Sequence, residues 1–361
     1  PAMQTPFRTA GHWIAFAIFA VVLSGCRPVS VSPCSSNTEA IPICGVDNPE
    51  DMARFEGTSL VLVPQGRGGV VNSPLVVLNA ATMLVAAPTF TYPSDRAFEY
   101  AGEATCTAPP PFPRYRGIDV RRDDDGSFRV AAINGTSKQR IELFNATVDG
   151  TRIELAWQGC IDVPDLWFLN DVAIGPDRQI FATHMFYRQT GLRQIYLTAK
   201  LFAGTRTGYA VRWHPDNGWT RVRNSTGSFP NGITVDRTAT HVYMASTYES
   251  TISRIDVESG ERSDLLLPIR PDNITWTDNG ELIVAGGNGL RMFSTRGCDA
   301  YSVPGCAFPF GIVQADALLT RRRVLYASDQ LKIPGASVAL QFGNNLFLGS
   351  AYADRITIVT P

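Results

Sequence analysis

The 361-residue sequence predicts an all-β fold: a six-bladed β-propeller with four-stranded blades around a central channel. A unit of a polar start, a short alternating strand, a turn and a second apolar strand recurs six times. Such repeats are typical of folds in which each unit forms one small sheet. The units begin near positions 50, 116, 170, 231, 272 and 336. Helical periodicity is convincing only near the N-terminus, which disfavours α/β folds. A two-domain β-sandwich is the structural alternative.

Each predicted blade consists of one such hairpin and two further strands. Period-two alternation is clear in "RIELFNATV", which follows the second hairpin. Two strands plus two more give the four-stranded blade of a propeller. Gly (31) and Pro (24) are frequent and scattered, as many short turns require. We expect an N-terminal strand near "SLVLVP" to pair into the last blade and close the ring.

The N-terminal segment is predicted to be separate from the propeller. "HWIAFAIFAVVLSGC" is shorter than the about 20 apolar residues of a membrane span and fits the core of a signal peptide. It ends in Leu23-Ser24-Gly25-Cys26, which resembles a bacterial lipobox. Residues 1–26 are therefore predicted to be a lipoprotein signal peptide, residues 27–44 a Ser/Pro-rich tether and residues 45–361 the propeller. Lipidated Cys26 would anchor the exported protein to a cell-envelope membrane; a secreted protein is the alternative.

Six cysteines besides Cys26 predict disulfides, because an even set in an exported protein is typical of a disulfide framework. Cys298–Cys306 would close a short loop and is the preferred pair. Cys34–Cys44 and Cys106–Cys160 are predicted from proximity alone. A zinc site is disfavoured, because the sequence has no Cys-x-x-Cys and its four histidines are far apart.

Charge and motifs exclude several classes of function. The formal net charge is −1 and no basic stripe is present, so nucleic acid is not an expected partner. "GGNGL" at residues 286–290 has no helix pattern after it, which rejects a dinucleotide-binding loop. The sequence has no Gly-x-Ser-x-Gly motif, so no serine triad is proposed.

The polar starts of the repeats predict a metal site. In a propeller, residues just before the innermost strands gather at one end of the axis, so polar residues from four blades would converge there. All of them carry oxygen donors, which select Ca²⁺ or Mg²⁺, and their number and irregularity favour Ca²⁺. Alternatively, each residue merely makes a turn at the start of a strand. The residues are Glu50, Asn170, Asn231, Asp272 and Asn273.

Four of these stretches, "PEDM", "FLNDVAIGP", "FPNGITVD" and "PDNITW", resemble the paraoxonase/arylesterase family, within the gluconolactonase-like calcium-dependent six-bladed propellers. The resemblance covers roughly residues 45 to 361. It implies hydrolysis of a small-molecule lactone, with aryl esters often accepted, at a catalytic calcium held by the five residues above. It also implies a second, structural calcium held by Asp51, Asp171 and the backbone carbonyl of Ile118.

The sequence departs from the family at its histidines. Arg116, in "YRGID", replaces the family's first histidine, and Gly135 lies near the position of the second. Arginine cannot act as a general base, so the base is predicted to be Asp272, Glu50 or His184. Arg116 is predicted to bind a substrate carboxylate or phosphate, or to stabilise an oxyanion.

Aromatic residues are predicted to form an apolar pocket beside this site. They are Trp167, Phe168, Phe186, Tyr187, Phe229 and Phe308.

Three functions stay open from sequence. The first is a calcium-dependent hydrolase of lactones or aryl esters, in which water attacks a carbonyl polarised by the metal. The second is a non-catalytic, calcium-stabilised propeller that acts as a binding module. The third is another propeller chemistry, such as phosphotriester cleavage, with Arg116 recognising charge.

Overall fold

The computed structural model describes residues 29–31, 34–35, 40–66, 72–92, 102–135, 138–288, 306–330 and 332–361. Six small antiparallel sheets form a ring, with four strands in each blade. The predicted six-bladed propeller is therefore confirmed.

The first three blades follow one another along the chain. Two short strands precede them, β1 (Val29–Ser30) and β2 (Ile41–Cys44). Blade 1 comprises β3 (Ala53–Arg54), β4 (Leu60–Pro64), β5 (Leu75–Asn79) and β6 (Leu84–Ala86). Blade 2 comprises β8 (Tyr115–Arg122), β9 (Phe128–Asn134), β10 (Arg140–Asp149) and β11 (Arg152–Asp162), with β7 (Thr89–Thr91) paired in parallel to β11. Blade 3 comprises β12 (Trp167–Ile174), β13 (Ile180–Tyr187), β14 (Tyr209–His214) and β15 (Gly218–Arg221).

The other three blades complete the ring. Blade 4 comprises β16 (Pro230–Val235), β17 (His241–Ser246), β18 (Thr251–Asp256) and β19 (Arg262–Leu266). Blade 5 comprises β20 (Arg270–Trp276), β21 (Leu282–Gly287), β23 (Phe310–Ala315) and β24 (Arg322–Ser328); the intervening β22 (Cys306–Ala307) pairs with β1. Blade 6 comprises β25 (Val338–Phe342), β26 (Asn345–Gly349), β27 (Arg355–Val359) and β2.

An N-terminal strand closes the ring, but it is not the predicted one. β2 pairs antiparallel with β27, with Ile43 opposite Ile356, and forms the outer edge of blade 6. The segment "SLVLVP" contains β4, which pairs with β3 and β5 inside blade 1. The prediction for this segment was wrong because β4 forms hairpins with its neighbours in sequence, leaving the open edge of β27 to an earlier strand.

Parts of the segment predicted as a tether pair with the propeller. β2 belongs to blade 6, β1 pairs with β22, and the Arg355 guanidinium donates a hydrogen bond to the Val31 carbonyl (2.7 Å). The predicted signal peptide, residues 1–26, lies outside the described residues. Within the described ranges, no helix has both the length and the apolar character needed to span a bilayer.

Two of the predicted disulfides are confirmed, Cys34–Cys44 and Cys106–Cys160. The second joins the segment before blade 2 to its outer strand β11. Cys306 is also disulfide-bonded. The predicted partner, Cys298, lies outside the described residues.

One helix was not predicted. α1 (Leu192–Phe202) lies between β13 and β14 of blade 3. Leu192, Ile195 and Tyr196 on this helix are exposed, while Leu197 is buried. Leu192, Ile195, Tyr196 and Ala199 have the i, i+3, i+4, i+7 spacing of an amphipathic helix, so the sequence carried a helix signal here that was missed.

Neighbouring blades pack face to face through apolar side chains that alternate along the strands. Between blades 3 and 4, Ala173 and Phe181 pack in one buried cluster with Ile233, Val242 and Met244. Each such side chain contributes about 1.5–3 kcal/mol when fully buried. This packing fixes the innermost strands, β3, β8, β12, β16, β20 and β25, around the channel.

Candidate active site

β-bulges position the polar residues at the mouth, the end of the channel where the innermost strands begin. The pairing of β12 with β13 is irregular between Leu169 and Val172, which leaves Asn170 and Asp171 outside the ladder. The same irregularity occurs after Tyr115, Pro230 and Pro271, in β8, β16 and β20. A bulge bends its strand and re-aims its side chains. Asn170, Asn231, Asp272 and Asn273 are therefore bulge residues, whereas Glu50 lies in the turn before β3.

Two bulge glycines allow neighbouring blades to approach closely at this level. A Cβ at Gly117 would lie 2.5 Å from the Asn170 carbonyl oxygen, and one at Gly232 would lie 2.4 Å from the Asp272 carbonyl oxygen. Backbone cannot move aside as a flexible side chain can. Gly117 and Gly232 are therefore required for the bulges of blades 2 and 3, and of blades 4 and 5, to meet.

The structure brings Asn170, Asn231 and Asp272 together. The Asn170 side-chain amide donates to the Asn231 carboxamide oxygen, and the Asn231 side chain hydrogen-bonds the Asp272 carboxylate. Asn231 also donates to the Thr247 hydroxyl (3.2 Å). The charge of Glu50 acts on Asp272, which places both carboxylates in the same site. Four of the five predicted ligands thus converge from four parts of the ring.

The fifth predicted ligand, Asn273, also lies at this end, but its side chain contacts the backbone of Glu50 and not its carboxylate. Its side-chain amide donates to the backbone carbonyl of Glu50 (3.0 Å), to which the Ser337 hydroxyl also donates (2.8 Å). These two bonds hold the turn that carries Glu50 against blades 5 and 6.

The carboxylates of Glu50 and Asp272 suit a cation. Both residues keep partial solvent exposure, and among the described residues neither takes part in an ion pair within 4.0 Å. Burial raises the pKa of Asp272, and the charges of Glu50 and Asp51 raise it further. Burial also raises the pKa of Glu50, while Arg116 lowers it. A divalent ion would relieve this repulsion, and the donors are oxygens, as Ca²⁺ prefers. The residues therefore fit the predicted calcium.

Below this level, three carboxylates link successive blades. Asp51 accepts the Ile118 N–H (2.8 Å), Asp119 the Ile174 N–H (2.7 Å) and Asp171 the Ile233 N–H (2.7 Å). Each bond joins one blade to the next, from the turn before β3 through to β16. Asp119 was not predicted, although "GID" follows the bulge of blade 2 much as Asp171 follows Asn170.

The predicted structural calcium site contains two of these carboxylates. Asp51 and Asp171 are buried, and burial raises the pKa of Asp51 to about 7. The pKa of Asp171 is raised by burial and then by the charge of Asp51. Their charge fits a cation. Ile118, predicted to ligate through its carbonyl, contacts Asp51 through its N–H.

A group of potential ligands elsewhere does not bind metal. Within the described residues, the ligand atoms of Cys106, Cys160 and Asp162 lie within 4.8 Å of one another. Both sulfurs are in the disulfide, however, so neither can act as a thiolate ligand.

The Arg116 side chain lies against Gly135. A Cβ at Gly135 would lie 2.9 Å from the Arg116 Nε and 3.3 Å from its Cδ. Gly135 thus makes room for the Arg116 side chain. The guanidinium lies over the Phe168 ring, 5.6 Å from its centroid, and its charge reaches Glu50.

An aromatic row lines the mouth. Phe168 stacks on Phe186 (4.9 Å between centroids), and Phe186 stacks on Phe229 (6.0 Å). Tyr248, which was not predicted, follows edge-on to Phe229 (5.2 Å). Phe308, predicted to join this row, packs instead in the buried cluster of blades 5 and 6.

His184 lies away from the polar residues of the mouth. Its ring is enclosed by Tyr187 (4.5 Å between centroids), Tyr209 (4.7 Å) and Trp167 (5.0 Å). The preceding residue, Thr183, donates to the Asn231 carbonyl, so alternation along β13 turns His184 to the opposite face. Burial lowers the pKa of His184 to about 4. Catalysis by His184 as a base stays a prediction that this placement disfavours.

A cavity lies at the lower end, where the innermost strands finish. It has a volume of about 500 Å³. Its charged groups are largely engaged: Arg54 pairs with Asp278 (2.6 Å), and Arg121 donates to the backbone carbonyls of Ile174 and Arg237. We place the site at the mouth, because the oxygen donors, the aromatic row and Arg116 are together there.

Solved structures with a similar fold are propellers. A gluconolactonase from Xanthomonas campestris has 12% identity over 93% of this chain and 96% of its own, with a TM-score of 0.51. A PQQ-bound aldose sugar dehydrogenase from Streptomyces coelicolor has 13% identity over 92% and 98%, with a TM-score of 0.50. At these identities the likeness shows the fold, which includes gluconolactonase-like propellers. No protein family model and no curated protein matches the sequence.

Proposed function

We propose that this protein is a calcium-dependent hydrolase of lactones or aryl esters, acting at the mouth of the propeller channel. The observation that carries the proposal is the convergence of Asn170, Asn231 and Asp272 from three bulges, beside partly exposed Glu50. The gluconolactonase with the same fold supports the chemical class.

In this proposal, different side chains of the site have different roles in hydrolysis. When bound in this set of oxygens, calcium supplies polarisation of a carbonyl and neutralises the carboxylates. Asp272 takes the proton of the attacking water at a carboxylate oxygen, because burial and the charges of Glu50 and Asp51 raise its pKa and so make it a stronger base. Asn170 and Asn231 orient Asp272 through their hydrogen-bonded chain.

The second calcium has a structural role in this proposal. It would lie near Asp51 and Asp171 and reduce the repulsion between them. These carboxylates already accept N–H groups from blades 2 and 4, so the ion would fix the inner strands on which the site depends.

We also propose export and lipid anchoring through Cys26. The two described disulfides support export, because disulfides persist in oxidising compartments. Membrane fractionation tests the anchor: the wild type should sediment with membranes and Cys26→Ser should not. Equal distribution of both proteins would contradict lipidation.

The hydrolase is tested with a panel of γ- and δ-lactones and phenyl acetate. Turnover should be lost in excess chelator and return with Ca²⁺, and Asp272→Asn should lower kcat/KM by about 10²–10³. Full activity in excess chelator would contradict the proposal. Calcium-dependent stabilisation without turnover on any substrate would instead favour the non-catalytic binding module.

A further inference from the structure

Two guanidinium groups share one ring at the mouth. Arg116, from the bulge of β8, lies 5.6 Å from the centroid of Phe168, and Arg188, just after β13, lies 5.4 Å from it. They come from different blades. Burial lowers the pKa of Arg188, and the neighbouring charge of Arg116 lowers it further. The fold therefore holds two like charges together where an oxyanion between them would be favourable.

Arg116 differs from the arginines that stabilise the blades. Arg129, Arg140 and Arg206 each pair with a carboxylate within 2.8 Å. Among the described residues, no ion pair within 4.0 Å includes Arg116. Gly135 leaves the space in which its Nε and Cδ lie, so the guanidinium is held in place beside the ring. Its charge is thus presented at the mouth.

The aromatic row extends from the ring that the two arginines share. The planes of Phe168 and Phe186 are 5° apart, and those of Phe186 and Phe229 are 24° apart. All three rings keep partial exposure. Because these ring faces are turned towards one another, the row offers ring edges, against which the face of a planar aromatic group can pack in a T-shaped contact.

We infer that the substrate carries an oxyanion, a carboxylate or a phosphate, on a planar apolar body. This inference rests on the hydrolase proposed above and names its substrate class. The oxyanion binds between Arg116 and Arg188, since a guanidinium presents a planar fork of donors to carboxylate and phosphate. The planar body lies along the row from Phe168 to Phe229. The ester or lactone carbonyl then reaches Glu50, on which the charge of Arg116 already acts.

Size-matched esters test the charge requirement. Wild-type protein with Ca²⁺ should hydrolyse 4-acetoxybenzoate with a kcat/KM at least about 10-fold above that for 4-acetoxybenzamide, which is neutral. 4-Acetoxyphenyl phosphate distinguishes the two oxyanions: whichever anionic ester is preferred over the amide identifies the group. No preference for either anion would overturn the inference. Equal affinities for benzoate and cyclohexanecarboxylate, measured by calorimetry, would overturn the planar requirement.

Arginine variants test the site itself. Arg188→Met should reduce the preference to about 1-fold, and Arg188→Lys should retain part of it. Arg122→Met is the matched control, because Arg122 also lies over a ring (Phe128, 5.9 Å) but at the opposite end of β8. The control should keep the wild-type preference. An unchanged preference in Arg188→Met, or an equal loss in Arg122→Met, would overturn the inference.

A binding experiment separates this inference from the hydrolase. Calorimetry with 4-acetamidobenzoate and 4-acetamidobenzamide measures charge selectivity without ester cleavage. Selective binding that Arg188→Met abolishes, without turnover of any ester, would retain the oxyanion site and contradict the hydrolase. Turnover of neutral and anionic esters at equal rates, with no selective binding, would retain the hydrolase and overturn the oxyanion site.

Discussion

The two ends of the channel are built from the same six strands, yet they differ in the pairing of their charged side chains. At the mouth, bulges remove residues from the ladder, and Glu50, Asp272 and Arg116 face the channel without an ion pair among the described residues. At the lower end the ladders are regular and Arg54 pairs with Asp278. The lower end has the cavity of about 500 Å³, and the mouth has the reactive groups.

This difference shows that volume alone does not locate a site. At the lower end Arg54 pairs with Asp278, and Asp119 accepts the Ile174 N–H, so these groups contact other parts of the ring. At the mouth, the carboxylates of Glu50 and Asp272 have no ion pair among the described residues, so a cation can bind them. The position of a bulge, rather than the size of a cavity, therefore decides where this propeller can do chemistry.

If the reactive groups lie at the mouth, equivalent substitutions at the two ends should affect activity unequally. Glu50→Gln and Asp119→Asn each replace a carboxylate with an amide of similar shape. Glu50→Gln should lower kcat/KM by about 10²–10³, because it removes a charge from the ion-binding oxygens. Asp119→Asn should change it less than about 3-fold, because Asp119 acts through the Ile174 backbone N–H. Steady-state hydrolysis at saturating Ca²⁺ measures both, and a similar loss in both variants would contradict the assignment.

The dependence of folding stability on pH and on calcium also distinguishes the two ends of the channel. The pKa of Asp51 is raised by burial to about 7, and that of Asp119 to about 6. Between the ordinary value near 4 and these values, the folded state binds more protons than the unfolded state. The stability that Asp51 and Asp119 contribute to the calcium-free protein should therefore be greatest at low pH within this window and fall as pH rises from about 4 to 7. Calcium replaces the protons, so it should stabilise most above pH 7.

Thermal unfolding at pH 5.5 and pH 8, in chelator and in Ca²⁺, measures this dependence. At 100 times its Kd, calcium adds about 2.7 kcal/mol, so the melting temperature at pH 8 should rise by several degrees. Asp119→Asn should remove the lower-end part of the pH dependence and leave the effect of calcium. A melting temperature at pH 8 that does not respond to Ca²⁺ would contradict both ion sites.

The sequence predicted the blades and the mouth because both depend on local patterns. The polar pairs Asn170–Asp171 and Asp272–Asn273 interrupt apolar strands, and the structure shows that these interruptions are bulges. These residues then converge because the innermost strands of the propeller surround one channel and begin at the same end of it. The closing strand β2 was missed because "IPIC" is only four residues long and gains its partner, β27, from the other end of the chain.

Contacts between blades could not be read from the sequence. Arg188 and Tyr248 follow strands with no motif to distinguish them, and they reach the mouth only because blades 3 and 4 meet there. Asp119 of blade 2 accepts the Ile174 N–H of blade 3. The face on which His184 lies depends on the register of β13, which the preceding Thr183 reveals through its bond to Asn231.

The smallest expected effect on activity is at His184, because its side chain lies on the face of β13 opposite Thr183, away from the polar residues of the mouth. Neither ring nitrogen has a hydrogen-bond partner among the described residues, and leaving a polar group buried in this way costs about 1–3 kcal/mol. His184→Phe should keep the contacts with Trp167, Tyr187 and Tyr209 and remove that cost. We expect the free energy of unfolding to rise by up to about 1–2 kcal/mol, with kcat/KM unchanged within about twofold.

The pH dependence of this gain follows from the lowered pKa. His184 takes up its proton in the folded state only near pH 4, whereas in the unfolded state it does so near 6.5. The wild type therefore loses stability through this group as pH falls below about 6.5, and the phenylalanine variant does not. Urea unfolding should show a larger difference between the two proteins at pH 5 than at pH 8. A fall in kcat/KM of more than about 100-fold, with stability retained, would instead identify His184 as the base and move part of the chemistry out of the channel.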